Sequence, residues 1–140
     1  MKILIIGATG MLGYSLFKTL NDSSHLDVYG TVRCIKGKEA FFHNCEERLF
    51  TNVHVNDLVT VDNVLQKLKP DIVLNCIGLI KQHNISKQHV DAIAINSLLP
   101  HQLANLCDLH VCKLIHFSTD CVFDGADGLY TEKDRPNAGD

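Results

Sequence analysis

Three glycines follow a short apolar run at the start of the chain, in the string Ile3-Leu-Ile-Ile-Gly7-Ala-Thr-Gly10-Met-Leu-Gly13. The chemistry this spacing offers is phosphate binding. A buried strand delivers the chain to a tight turn, and the turn opens a helix. The helix N-terminus carries unpaired N–H groups and a partial positive charge. Gly7 suits the turn, Gly10 lets a pyrophosphate approach bare backbone, and Gly13 lets helix and strand pack closely. Thr9 sits inside the turn. Glycine turns between strand and helix also occur as plain structure, so context decides. Apolar residues at 11, 12, 16, 17 and 20 have helical spacing. A strand, a glycine turn and a helix in that order favour a dinucleotide site.

Further candidates stand where later apolar runs end. Val28-Tyr-Gly-Thr31-Val-Arg33 has no carboxylate in the place where NAD sites use one for the ribose 2′-hydroxyl. Thr31 and Arg33 stand there, with Lys36 and Lys38 following. A guanidinium matches a 2′-phosphate, so NADP is favoured and NAD stays possible. The competing reading is a solvated basic loop. Asp57 and Leu58 could hold an adenine, and Asp57 could equally cap the next helix, two roles that do not exclude each other; Asn56 is the alternative cap. Asn75-Cys76-Ile77-Gly78 could carry backbone beneath the cofactor ribose or be an ordinary strand exit. Phe117-Ser118-Thr119-Asp120 puts two hydroxyls and a carboxylate after a buried run. A hydroxyl there could polarise a substrate carbonyl, and the same string is a good turn.

The elements that must position these residues alternate along the chain. Strands are predicted at 2–6, 27–32, 51–55, 71–76 and 113–118, and helices at 11–21, 57–68 and about 87–108. Residues 37–48 are compatible with one or two helical turns. Lys69-Pro70 ends the second helix. Pro100 should kink the last helix or start a second piece of it. The runs 72–77 and 114–117 are nearly continuous in apolar residues, which suits parallel strands covered on both faces. The fold class is therefore α/β, a Rossmann-like doubly wound parallel sheet with strand order 3-2-1-4-5. Such a sheet puts its ligand across the carboxyl ends of its strands.

The 140 residues suffice for one domain with a real core. A net charge of −3 offers no global attraction for nucleic acid. No apolar stretch reaches a membrane span, and the apolar start has no signal-peptide features, so a cytoplasmic location is expected. Six cysteines show no C-x-x-C spacing and read as reduced. The histidines show no metal-ligand spacing, so no metal is expected.

Gly7-Ala-Thr-Gly-Met-Leu-Gly13, Asn75-Cys-Ile-Gly78, Ala94-Ile-Asn96 and Ser118-Thr-Asp-Cys-Val-Phe-Asp-Gly125 follow in this order, with Tyr130-x-Glu132 and a proline after them. Together they resemble the extended short-chain dehydrogenase/reductase superfamily, and within it the dTDP-4-dehydrorhamnose reductase-like nucleotide-sugar reductases. The resemblance spans essentially the whole chain. It implies that Gly10, Met11 and Leu12 meet the pyrophosphate, Asp57 and Leu58 the adenine, and Cys76, Ile77 and Gly78 the ribose. Phe117 would sit beside the nicotinamide. Thr119 matches the catalytic hydroxyl, Asp120 would lie beside the substrate, and Asn96 matches an asparagine of the proton relay. Asn96 also reads as a helix-kink residue before Pro100. The implied substrate is a nucleotide sugar, with a homodimer possible. A non-catalytic regulatory subunit and a nucleotide-sugar epimerase or dehydratase are the alternatives.

One part of the family pattern is missing. The proton donor is a tyrosine four residues before a lysine, expected just past residue 140. Here Tyr14, Tyr29 and Tyr130 are followed at that spacing by Lys18, Arg33 and Asp134. Tyr14–Lys18 fits only in number, since it falls in the first helix. The expectation is that residues 1–140 form the NAD(P)-binding domain of a longer protein. A fifth strand left as a sheet edge points the same way.

Overall fold

In the computed structural model, residues 1–79 and 89–138 are described. Five short strands form one parallel sheet: β1 (Lys2–Ile6), β2 (Asp27–Thr31), β3 (Leu49–Phe50), β4 (Ile72–Asn75) and β5 (Lys113–His116). Their order is β3-β2-β1-β4-β5, the 3-2-1-4-5 arrangement expected from the sequence. The register pairs Ile5 with Gly30 on one side and with Leu74 on the other.

The period-2 alternation of β1 and β4 sends side chains to two separate cores. Leu4, Ile6 and Val73 face one side, where α2 (Leu58–Leu68) contributes Val61 and Leu65. On the same side α4 (Leu99–Leu109) contributes Leu99, Leu103 and Cys107, a strict four-residue spacing. Ile3, Ile5, Val28 and Leu74 face the other side, against Phe17 of α1 (Met11–Asn21) and Phe42.

Three details refine the sequence reading. β3 covers Leu49–Phe50 and not 51–55, because Asn52 takes a left-handed φ of 59° that ends the strand. Residues 37–48 form two 3-10 turns, Glu39–Phe42 and Glu46–Arg48. The long helix at about 87–108 is three pieces: α3 (His89–Ala92), a π-helical segment (Ile93–Leu98) and α4, with Pro100 in its first turn. Residues 87 and 88 of that expectation lie outside the described residues.

β5 also differs in its surroundings. The apolar run suggested burial on both faces, yet Ile115 and Phe117 are exposed. α1 packs over β1 and β2. Among the described residues the corresponding face of β5 stays open.

Candidate active site

The chain leaves β1 through Gly7, whose φ of 89° is closed to most side chains. The Gly10 N–H donates to the Gly7 carbonyl at 3.0 Å, closing the turn. The Gly7 N–H donates to the Thr31 hydroxyl at 3.3 Å, and the Ala8 N–H to the Thr31 carbonyl at 3.1 Å. Thr31 is thus a buried brace for the turn. A Cβ on Gly13 would lie 2.2 Å from the Gly7 oxygen, so the helix packs on the turn only with glycine there. Gly10 opens α1 with no side-chain cap, and the first turn holds no acidic residue. Its positive end is therefore not neutralised from within the helix.

A cavity of about 520 Å³ opens above the carboxyl ends of β1, β2 and β4. Its floor is the glycine turn (Gly7, Thr9, Gly10) and the β4 exit (Cys76, Ile77, Gly78, Leu79). Thr31, Val32, Arg33 and Lys38 form one wall, and Val53, His54, Val55 and Asn56 another. Asp91 and Ile95 close it from the helix that precedes α4. Two cations therefore stand at the β2 exit, with the cavity's carboxylate on another element. Burial pushes the Cys76 thiol up to about 11. At neutral pH it is an inert part of the wall, not a nucleophile.

Of the residues read from sequence, Gly7, Thr9, Gly10, Thr31, Arg33, Cys76, Ile77 and Gly78 line this cavity. Met11 and Leu12 are exposed at the start of α1, and Met11 borders a second, smaller cavity. Gly13 lies buried beneath the turn. Asp57 does not line the cavity. It is the cap of α2, its carboxylate accepting from the Val59 N–H at 3.2 Å. Leu58 packs against the α2-side core. The cavity wall after β3 is instead made by His54, Val55 and Asn56. The Thr60 hydroxyl holds that wall in shape: it accepts from the His54 N–H at 2.9 Å and lies 2.7 Å from the Asp57 carbonyl.

Two further candidates meet at the β4 exit. The Asn96 carbonyl oxygen accepts from the Leu79 N–H at 2.8 Å, and its amide donates to the Leu79 carbonyl at 2.9 Å. Asn96 belongs to the π-helical segment, a geometry often found beside functional sites. Buried Asn75 accepts from the Ile77 N–H and sets its amide 3.1 Å from His116 Nδ1. The amide can only donate, so that ring nitrogen accepts.

Phe117 and Thr119 follow β5 and are exposed, outside the cavity wall. The Thr119 hydroxyl accepts from the Cys121 N–H at 3.1 Å. Asp120 opens a 3-10 turn, Asp120–Val122, and its side chain is outside the described residues. The Ser-Thr-Asp string therefore leads into a turn. Among the described residues, no group of three or more metal-ligating side chains comes together. Nor is any described helix long and apolar enough to cross a membrane.

The sequence matches the RmlD substrate binding domain over residues 1–138. The chain belongs to that family. A probable low-salt glycan biosynthesis reductase, Agl14 of Haloferax volcanii, is 31% identical over 97% of this chain and 43% of its own length. The methionine adenosyltransferase 2 subunit beta of Mus musculus is 28% identical over 97% of this chain and 37% of its own length. Among solved structures, the dTDP-4-dehydrorhamnose reductase of Bacillus anthracis in complex with NADP superposes with a TM-score of 0.73. It is 26% identical and covers 96% of this chain and 42% of its own. The RmlD-family chain thus spans about two fifths of the length of the curated relatives it matches.

Proposed function

We propose that this chain supplies the cofactor-binding part of an NADP(H)-dependent reductase acting on the 4-keto group of a nucleotide-linked 6-deoxysugar. The observation that carries the reading is the cavity itself. An uncapped helix N-terminus with Gly7 and Gly10 forms its floor, and Arg33 stands at the β2 exit where an NAD site has a carboxylate. The glycine turn would hold the pyrophosphate through backbone N–H groups, and Arg33 the 2′-phosphate. Cys76, Ile77 and Gly78 would pass beneath the ribose. The adenine would rest on His54, Val55 and Asn56, with Asp57 acting only as the cap of α2.

NADPH, when bound, supplies the hydride for the C4 ketone. In this reading Phe117 flanks the nicotinamide, Thr119 hydrogen-bonds the ketone oxygen and Asp120 lies beside the sugar. Asn96 holds the β4 exit in place through Leu79, whatever part it takes in proton relay. In this reading residues 1–140 act as the NAD(P)-binding domain.

The likeness to methionine adenosyltransferase 2 subunit beta favours a second reading, a nucleotide-binding regulatory subunit without turnover. Two measurements separate them. Titration of the chain with NADPH, followed by nicotinamide fluorescence, should give saturable binding under either reading; no binding sinks both. NADPH oxidation on adding a nucleotide-linked 4-keto-6-deoxysugar to the protein that carries this chain supports the reductase. Binding without oxidation supports the regulatory subunit.

A further inference from the structure

We infer that His116 is a positioning residue for the cofactor floor: its neutral ring, acting through Asn75, holds Ile77 against the glycine turn, and uptake of a proton by that ring releases it. The inference rests on the dinucleotide reading above. Parallel pairing puts Asn75 beside His116 at the carboxyl ends of β4 and β5. Asn75 is 1% exposed, and a buried amide needs a partner at each end. Its oxygen accepts from the Ile77 N–H at 3.1 Å, and its nitrogen stands 3.1 Å from His116 Nδ1. The main-chain N–H fixes which way round the amide lies. The amide in turn fixes the ring, with Nδ1 bare and the proton on Nε2.

Ile77 is where this chain of bonds reaches the cavity. It lines the floor with Cys76 and Gly78. A Cβ built on Gly7 would lie 2.6 Å from Ile77 Cγ1, so the isoleucine packs directly on the turn. Two residues on, Asn96 pins Leu79 by both of its main-chain groups. The β4 exit is thus held at two points. Of these, the Asn75 contact ends on an imidazole, the side chain whose charge changes most readily around neutral pH.

A protonated ring donates from both nitrogens. Its Nδ1–H then faces the Asn75 NH2 group. Turning the amide over would aim that same group at the Ile77 N–H. Either arrangement sets donor against donor at a buried amide, and a buried polar group left unmet is costly. His116 is itself exposed, so the charged ring can swing into solvent. Asn75 then loses the partner that orients it, and Ile77 loses a fixed acceptor. β4 carries no titratable side chain, and neither does the π-helical segment. α4 carries His101, Cys107 and Asp108, and β5 begins with Lys113. Among the described residues, the hydrogen bond of the His116 ring is the one to Asn75 and not to any of these.

The test compares the parent chain with His116→Asn and His116→Leu. The asparagine oxygen stands close to the place of Nδ1, accepts from the Asn75 amide and takes up no proton. Leucine offers no acceptor. NADPH dissociation constants are measured by nicotinamide fluorescence between about pH 8 and about pH 5.5, the span over which imidazoles change charge. At the upper end His116→Asn should bind within about twofold of the parent, and His116→Leu about threefold to tenfold more weakly, the scale of one hydrogen bond. Toward the lower end the parent should lose about threefold to tenfold more affinity than His116→Asn. His54 in the cavity wall and the cofactor's own phosphates are the same in both proteins, so the difference between the profiles belongs to residue 116. By NMR, the free parent should show the Nε2–H tautomer of His116 at the upper end, and its Ile77 amide should titrate together with that ring. The Ile77 amide of His116→Asn should not. Coincident pH profiles of parent and His116→Asn, parent-like binding by His116→Leu, or an Nδ1–H tautomer overturns this inference while leaving the dinucleotide site standing. Failure of the parent to bind NADPH at any pH overturns both.

Discussion

Two glycines of one motif do different work, and single substitutions should separate them. A Cβ on Gly13 would meet backbone atoms of Gly7 at 2.2 and 2.9 Å, which no rotamer change relieves. Gly13→Ala should therefore destabilise the fold by about 1–3 kcal/mol or more, and weaken NADPH binding with it. A Cβ on Gly10 would stand 3.4 Å from the Gly7 oxygen, a contact the turn can absorb. Gly10→Ala should melt within a few degrees of the parent and still bind NADPH at least tenfold more weakly, because the methyl occupies the phosphate's path. Normal NADPH binding by Gly10→Ala would mean that the pyrophosphate does not lie over this turn. Asp57 offers the converse pair of readouts. As a cap, its change to alanine should cost about 1 kcal/mol of stability and leave the NADPH dissociation constant within twofold. A large loss of affinity at unchanged stability would return Asp57 to the adenine site.

At the scale of elements, the site depends on how the β4 exit is tied to the helix across the cavity. Asn96 binds both main-chain groups of Leu79, and it does so from a π-helical segment. Asn96→Ala should release residues 77–79, raise hydrogen exchange at the Leu79 amide and weaken NADPH by roughly half to one order of magnitude, the scale of a lost hydrogen bond or two. Unchanged exchange at Leu79 would show that the strand exit holds without it. This clamp was not legible in the sequence, where Ala94-Ile-Asn96 gave only a family position and a kink before Pro100. The order of strands was legible, because apolar runs alternating with helical periods leave few topologies. The cavity wall after β3 was not. His54-Val55-Asn56 carries no chemical signature of its own, and Asp57 drew attention because a carboxylate can serve either as a cap or as a ligand. The Val59 N–H shows the cap, a role that does not exclude a ligand. β3 ended early for a similar reason: Asn52 is at ease in the left-handed region, and the apolar residues beyond it serve the cavity and not the sheet.

The whole molecule sets the thiols' chemistry, since the cysteines lie at different depths, from the core under α4 to the surface. Cys107, 1% exposed at the end of α4, is pushed up to about 12, first by burial and then by neighbouring Cys112. Cys76, in the cavity wall, is pushed up to about 11 by burial. Cys34 and Cys121 are exposed. Alkylation of the native chain at mildly alkaline pH should therefore label Cys34 and Cys121 first, with Cys107 reacting only on unfolding; mass mapping after a short pulse of iodoacetamide would reveal the order. The same shifts fix the sign of an alkaline effect. A thiol whose folded pKa lies above its unfolded value of 9.0 keeps its proton in the fold while the unfolded chain has already lost it. The folded state then binds more protons, so stability falls as pH rises. The contribution of these thiols is fully present below pH 9.0 and is lost up to about 11 for Cys76 and about 12 for Cys107. Thermal melts of the parent and of Cys107→Ala between pH 8 and pH 10.5 (about the span over which the unfolded thiol ionises) should converge as pH rises, because the alanine variant has no thiol to ionise. Parallel curves would mean that Cys107 titrates alike in both states, and that its burial in the α4 core does not hold the proton.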